Sequence, residues 1–99
     1  MTIKRQGGTL DSWFIFQYPT GEKVVIGVVS GDQYWWDQEV LRTSEIVELF
    51  DNCVETRNTI YQLGNYFNGT DEQYNWMLAQ HGLVFYGDYE GVVNRNNLP

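Results

Sequence analysis

Residues Arg42 to Leu63 read RTSEIVELFDNCVETRNTIYQL, and the fold turns on whether this stretch is helix or sheet. Ile46, Val47, Phe50, Cys53 and Val54 fit the i, i+3, i+4 stripe of an amphipathic helix. Val54, Thr56, Asn58 and Ile60 alternate with Glu55, Arg57, Thr59 and Tyr61, as a strand would. Composition tips the balance toward strands. Thr43, Thr56, Thr59, Asn52 and Asn58 are indifferent helix formers, and Asp51-Asn52 is a plausible turn between two strands.

Toward the N-terminus, Ser12 to Tyr18 and Lys23 to Val29 are two aromatic and β-branched runs separated by Pro19-Thr20-Gly21-Glu22, the pattern of a β-hairpin. Pro19 sets φ at the turn entry and Gly21 can supply a positive φ. Both faces of this hairpin are apolar. Trp13, Ile15, Val25 and Val29 lie on one side, and Phe14, Phe16, Tyr18, Val24, Ile26 and Val28 on the other. A sheet with one wet face would alternate more cleanly, so a helix, a barrel closure or a partner must cover the second face. After Ser30-Gly31-Asp32, Gln33 to Asp37 is expected to form a third strand. Gly7-Gly8 and Gly31 lack the Lys-Ser/Thr of a phosphate loop and read as turns.

Toward the C-terminus, Thr70 is a good N-cap with Gln73 placed for a capping box, and Asp71 and Glu72 suit the positive end of the helix dipole. Tyr74, Met77, Leu78 and His81 form the apolar stripe, and Gly82 stops the helix. Leu83 to Tyr86 reads as a final strand and the chain from about Val92 as a loose tail. The expected architecture is one α+β domain over residues 1–99: a small curved antiparallel sheet, built on the 12–29 hairpin and further strands, with one helix packed near 70–81.

Ninety-nine residues suffice for one core and not for two. Four Trp, seven Tyr and five Phe exclude intrinsic disorder. A single cysteine, Cys53, cannot form an internal disulfide and points to a reducing, cytoplasmic setting. The first residues lack a signal peptide's apolar core, and no apolar run is long enough to span a bilayer. Asn68-Gly69-Thr70 matches a glycosylation sequon that has no chemistry without secretion.

Catalytic signals are weak. Cys53 and His81 are the one possible thiol–base pair, but neither sits in a nucleophile motif, and one Cys with one His is half a zinc site. No run of Asp and Asn matches a calcium loop, and Asp32, Asp37 and Glu39 would share a hard cation only by chance. No catalytic residue, metal or cofactor is therefore expected, and the chain reads as a binding protein and not an enzyme.

Charge is more informative. The chain carries −7, with a pI near 4.4. Between residues 32 and 55, Asp32, Asp37, Glu39, Glu45, Glu48, Asp51 and Glu55 face Arg42 alone, a local charge of −6. Such a chain should avoid direct contact with nucleic acid or anionic membrane and instead suit a Lys/Arg-rich protein surface. Seven carboxylates match the charge on roughly 12 Å of duplex DNA. Tyr34, Trp35, Trp36 and Phe50 interleave with the acids. On a strand, Trp35 and Trp36 would point to opposite faces, one to the core and one outward as an interface anchor.

From Gly27 to Gly64 the sequence resembles a type of small protein encoded by bacteriophages and prophages. The similar elements are Gly27-Val28-Val29, Asp37, Arg42-Thr43-Ser44, Ile46-Val47, Val54-Glu55-Thr56, Asn58-Thr59, Tyr61 and Leu63-Gly64. Where the resemblance leads one to expect a glycine turn after Asp37, this chain has Gln38-Glu39. The resemblance implies a β-rich core and brings no catalytic residues. Small acidic phage proteins include anti-CRISPR and anti-restriction inhibitors, some of which mimic nucleic acid. The expected function is thus a non-enzymatic inhibitor that occupies a basic site on a host nucleic-acid-handling defence complex, such as a CRISPR effector or restriction complex. Asp32, Asp37, Glu39, Glu45, Glu48 and Glu55 would supply charge, and Tyr34, Trp35 and Trp36 anchors. The alternative is a phage structural or assembly component, or a homodimeric accessory protein whose second sheet face pairs with its copy.

Overall fold

The computed structural model describes residues 4–82 and 92–94. Its strands are β1 (Arg5–Gln17), β2 (Lys23–Ser30), β3 (Val40–Arg42), β4 (Ile46–Phe50), β5 (Cys53–Thr56), β6 (Thr59–Leu63) and β7 (Val92–Asn94), with one helix, α1 (Asp71–Ala79), between β6 and β7. The 42–63 stretch is therefore sheet, turning at Asp51 and Asn52, both of which adopt left-handed φ. The β1–β2 hairpin closes where expected, with Gly21 at φ 96°.

The sheet is mixed and not antiparallel throughout. Its order is β3-β2-β1-β6-β5-β4, with β7 also pairing β1. β1 and β6 run parallel, with Arg5 opposite Thr59 and Leu10 opposite Leu63. Side-chain alternation encodes which face a residue takes and not which way its neighbour runs, so this pairing leaves no mark in the pattern. The two edge strands, β3 and β4, are joined by Thr43–Glu45 alone. In a flat sheet they would lie roughly 24 Å apart. The four residue steps from Arg42 to Ile46 reach at most about 14 Å. The sheet therefore rolls, and β4–β6 fold over one face of β1–β2.

That roll explains the doubly apolar hairpin. Trp13, Ile15, Val25 and Val29 join Val54, Tyr61 and Leu63 in one buried cluster. Phe14, Phe16, Val24 and Ile26 join Tyr74, Met77 and Leu78 of α1 in the other. Leu10 faces the first cluster because a bulge between Asp11 and Phe14, with Ser12 at φ 49°, inserts one residue and shifts the alternation. The chain covers both faces itself, and Trp13 is buried in its own core, so the sheet needs no second copy to shield it.

Helix α1 has the expected capping box. The Thr70 hydroxyl accepts from the Gln73 amide, and the Gln73 side chain accepts from the Thr70 amide at 2.8 Å. Gly82 follows at φ 68°.

Four expectations change. Gln33–Asp37 is an irregular loop and not a strand. Gly7 and Gly8 lie within β1 and are not a turn. A Cβ on Gly7 would press on the Tyr61 ring at 2.6 Å, and one on Gly8 would overlap the Ser30 carbonyl oxygen. These glycines admit close neighbours, so the strand begins at Arg5 and not Ser12. Val92–Asn94 pair with Ile15–Gln17 and are not loose tail. The Leu83–Tyr86 strand and the tail beyond Asn94 lie outside the described residues.

At the turn where the resemblance suggests glycine, Gln38 takes φ 72°. Its amide donates to the Val29 carbonyl at 2.8 Å, a bond glycine would keep. Gln38→Gly should raise stability by up to about 1 kcal/mol, visible as a melting temperature several degrees higher.

Candidate partner-binding surface

Gly31 to Glu39 form a nine-residue loop between β2 and β3. Three carriers of its geometry are polar. Asp32 accepts from Arg5 Nη1 at 3.0 and 3.2 Å, from the Gly8 amide at 2.9 Å and from the Tyr34 amide at 2.8 Å. Asp37 accepts from the Gly31 amide at 2.9 Å, which closes the loop on itself. At its exit, Val29 exchanges two backbone bonds with Gln38 and Glu39.

This bonding corrects the role of Asp32. Its side chain is 0% exposed and its oxygens are spent internally, so it is a support and not a contact. Burial alone would raise its pKa. The amides of Tyr34 and Gly8 and the Arg5 guanidinium outweigh that cost and hold the carboxyl below its usual value.

The aromatics carried by this loop stand outward. Tyr34 is 68% exposed, Trp35 41% and Trp36 81%. Because the segment is not a strand, the two tryptophans are not divided between core and surface. The Arg5 guanidinium lies 4.6 Å from the centre of the Tyr34 ring, which ties one side of the platform to β1.

The remaining acids do not converge with the loop. Glu45 pairs with Arg57, whose Nε donates at 2.8 Å, and Glu55 pairs with Lys4 at 2.6 Å. Glu48 stands opposite Glu55 in the β4–β5 register, where two like charges are tolerable because Lys4 neutralises one of them. Three of the six proposed charge donors, Asp32, Glu45 and Glu55, thus already face a cation. Asp37, Glu39 and Glu48 are in no ion pair among the described residues. The first two follow Trp36 on the loop, and Glu48 lies on β4 beside exposed Val47.

Sequence reading missed these cations because Lys4 and Arg5 are distant along the chain and Arg57 falls just beyond the acid-rich run. Long-range pairing brings them back.

Cys53 sits half-buried in β5, and His81 Nε2 lies 2.7 Å from the Val40 carbonyl oxygen on β3. Among the described residues no group of three or more His, Cys, Asp or Glu is arranged to hold a metal ion, and no helix is long and apolar enough to cross a membrane. No family model, no curated protein and no solved structure matches the chain.

Proposed function

We propose that this protein is a non-enzymatic binding module that grips a protein partner through the β2–β3 loop, with Trp36, Tyr34 and Trp35 as anchors and Asp37 and Glu39 meeting Lys or Arg on the partner. The observation that carries this is a trio of exposed aromatic side chains on a loop whose backbone is already fixed by Asp32, Asp37 and Val29. Exposed Trp and Tyr supply contact area with few rotors to freeze, and a preformed loop lowers the ordering cost on binding.

The partner class is a basic site on a host nucleic-acid-handling defence complex, in the manner of anti-CRISPR and anti-restriction inhibitors. The support is the acidic composition and the phage-type resemblance. Because Asp32, Glu45 and Glu55 are engaged internally, aromatic burial supplies most of the affinity and charge sets the approach.

Trp36→Ala tests this. Stability should stay within about 0.5 kcal/mol, since the ring is exposed. Affinity for the partner should fall by roughly 2 kcal/mol or more, about thirtyfold. A Trp36→Ala protein that melts like the wild type and binds equally well would rule out the loop as the contact.

A further inference from the structure

Between β6 and α1 the chain passes through Asn68-Gly69-Thr70, whose first two residues are the one Asn-Gly step in the sequence. Every other asparagine is followed by a residue with a Cβ. Both ends of the step are held. On one side the Phe67 amide donates to the Trp13 carbonyl at 2.8 Å, the Phe67 carbonyl accepts from the Tyr74 hydroxyl at 3.0 Å, and the two rings meet edge-on. On the other side Thr70 and Gln73 form the capping box of α1.

That geometry forces the glycine. A Cβ on Gly69 would overlap Gln73 Oε1 and lie 2.6 Å from the Phe67 ring, so no side chain fits between ring and cap. The asparagine before it is exposed and outside regular structure. Among the described residues, neither the Asn68 side chain nor the Gly69 amide makes a hydrogen bond. A side-chain amide and the backbone nitrogen that can attack it are thus adjacent and free, and no Cβ shields the nitrogen.

We propose that Asn68 is a modification site at which the chain processes itself, with water as the sole co-reactant. The Gly69 nitrogen gives up its proton and attacks Asn68 Cγ. The N–Cγ bond forms, the Cγ–Nδ2 bond breaks, and ammonia leaves with the proton, closing a succinimide ring. Water then opens the ring at either carbonyl. Cleavage of the new N–Cγ bond leaves aspartate at position 68. Cleavage of the original peptide bond leaves isoaspartate, with the main chain running through Cγ. In both products a carboxylate replaces the amide, and the net charge moves from −7 to −8.

The two products differ in what they do to the fold. Aspartate keeps the backbone, and its charge lies two residues before the N-cap, at the favourable end of the α1 dipole. Isoaspartate adds a main-chain carbon between Phe67 and Gly69, where ring and cap leave no room. It displaces either the Phe67 anchor or the capping box, and loosens the seal of α1 over the second hairpin face. The β2–β3 loop takes no part in this step, so it stands apart from the partner reading.

The test is ageing of the intact protein in heavy-oxygen water at mildly alkaline pH, beside Asn68→Gln and Asn68→Asp. Wild type should gain an isoform with one more negative charge, and peptide mapping should place the heavy oxygen at position 68. An isoaspartate-specific carboxyl methyltransferase then measures the isoaspartate share. Asn68→Gln should lose the reaction, because its longer side chain must close a larger ring, and its exposed position leaves the fold intact. The isolated isoaspartate form should unfold at lower urea than fresh wild type, whereas Asn68→Asp should unfold at the same concentration or higher. No heavy oxygen at position 68, the same acidic isoform from Asn68→Gln at the wild-type rate, or earlier labelling at another asparagine would overturn the site. An isoaspartate form as resistant to urea as fresh protein would overturn its link to α1.

Discussion

Replacing Asp32 by Ala is expected to destabilise the protein by about 2–4 kcal/mol, because one buried carboxylate satisfies two backbone amides and a guanidinium. Loss of the side chain strands the Gly8 and Tyr34 amides and leaves Arg5 without its counter-ion. Asp32→Asn keeps the shape and loses the charge, so it should cost less, about 1–2 kcal/mol. The effect has a pH signature. The folded-state pKa of Asp32 is lowered from 3.8, so the carboxylate stabilises the fold fully above the unfolded value. That contribution fades as pH falls through the lowered folded value. The gap between wild type and Asp32→Asn in urea unfolding should therefore be widest near neutrality and narrow below about pH 4. Hydrogen exchange at residues 31–39 should quicken in both variants, since the loop loses its main tether. A variant that unfolds like the wild type at neutral pH would show that Asp32 holds nothing in place.

The second large effect belongs to Tyr74. It is fully buried, its ring meets Phe14 edge-on at 4.8 Å and Phe67 at 5.0 Å, and its hydroxyl donates to the Phe67 carbonyl at 3.0 Å. It is the widest side chain by which α1 seals the second hairpin face. Tyr74→Ala should cost about 3–5 kcal/mol, a large share of the roughly 5–15 kcal/mol that a chain of this length has to spend. Tyr74→Phe keeps the packing and loses one hydrogen bond, for about 1 kcal/mol. Chemical denaturation of both variants separates the two contributions. Equal losses would mean that the hydroxyl matters and the packing does not.

These two residues also mark what the sequence made legible. Tyr74 was readable because helical spacing, the Thr70 cap and the Gly82 stop all lie within a dozen residues. The doubly apolar hairpin was readable because strand alternation is local, and it correctly called for cover on both faces. The 42–63 strands followed from weak helix formers around a good turn pair. Asp32 was misread because its partners come from β1, 24 and 27 positions away, through a long-range arrangement that no local period encodes. Lys4 reaches Glu55 across 51 positions in the same way. An acid-rich run therefore looked like an acidic surface, whereas folding turned half of its proposed contacts into internal ion pairs. The aromatics of the run fared differently. Tyr34, Trp35 and Trp36 did end up exposed, but on a loop and not on the strand that β-propensity suggested, because Asp32, Asp37 and the left-handed turn at Gln38 close the segment locally.

The proposal that the β2–β3 loop is the gripping surface meets its most direct test in one comparative capture. Immobilised wild type, Trp36→Ala and a Glu48→Gln control would be exposed to the same host lysate at about 0.1 M and about 1 M salt, where charge is screened over roughly 10 Å and 3 Å. A protein retained at low salt by wild type and Glu48→Gln, lost on Trp36→Ala, and reduced but still detectable at high salt is the predicted result. Equal retention by Trp36→Ala, or binding that vanishes at high salt for every variant alike, would contradict an aromatic grip and return the affinity to charge alone.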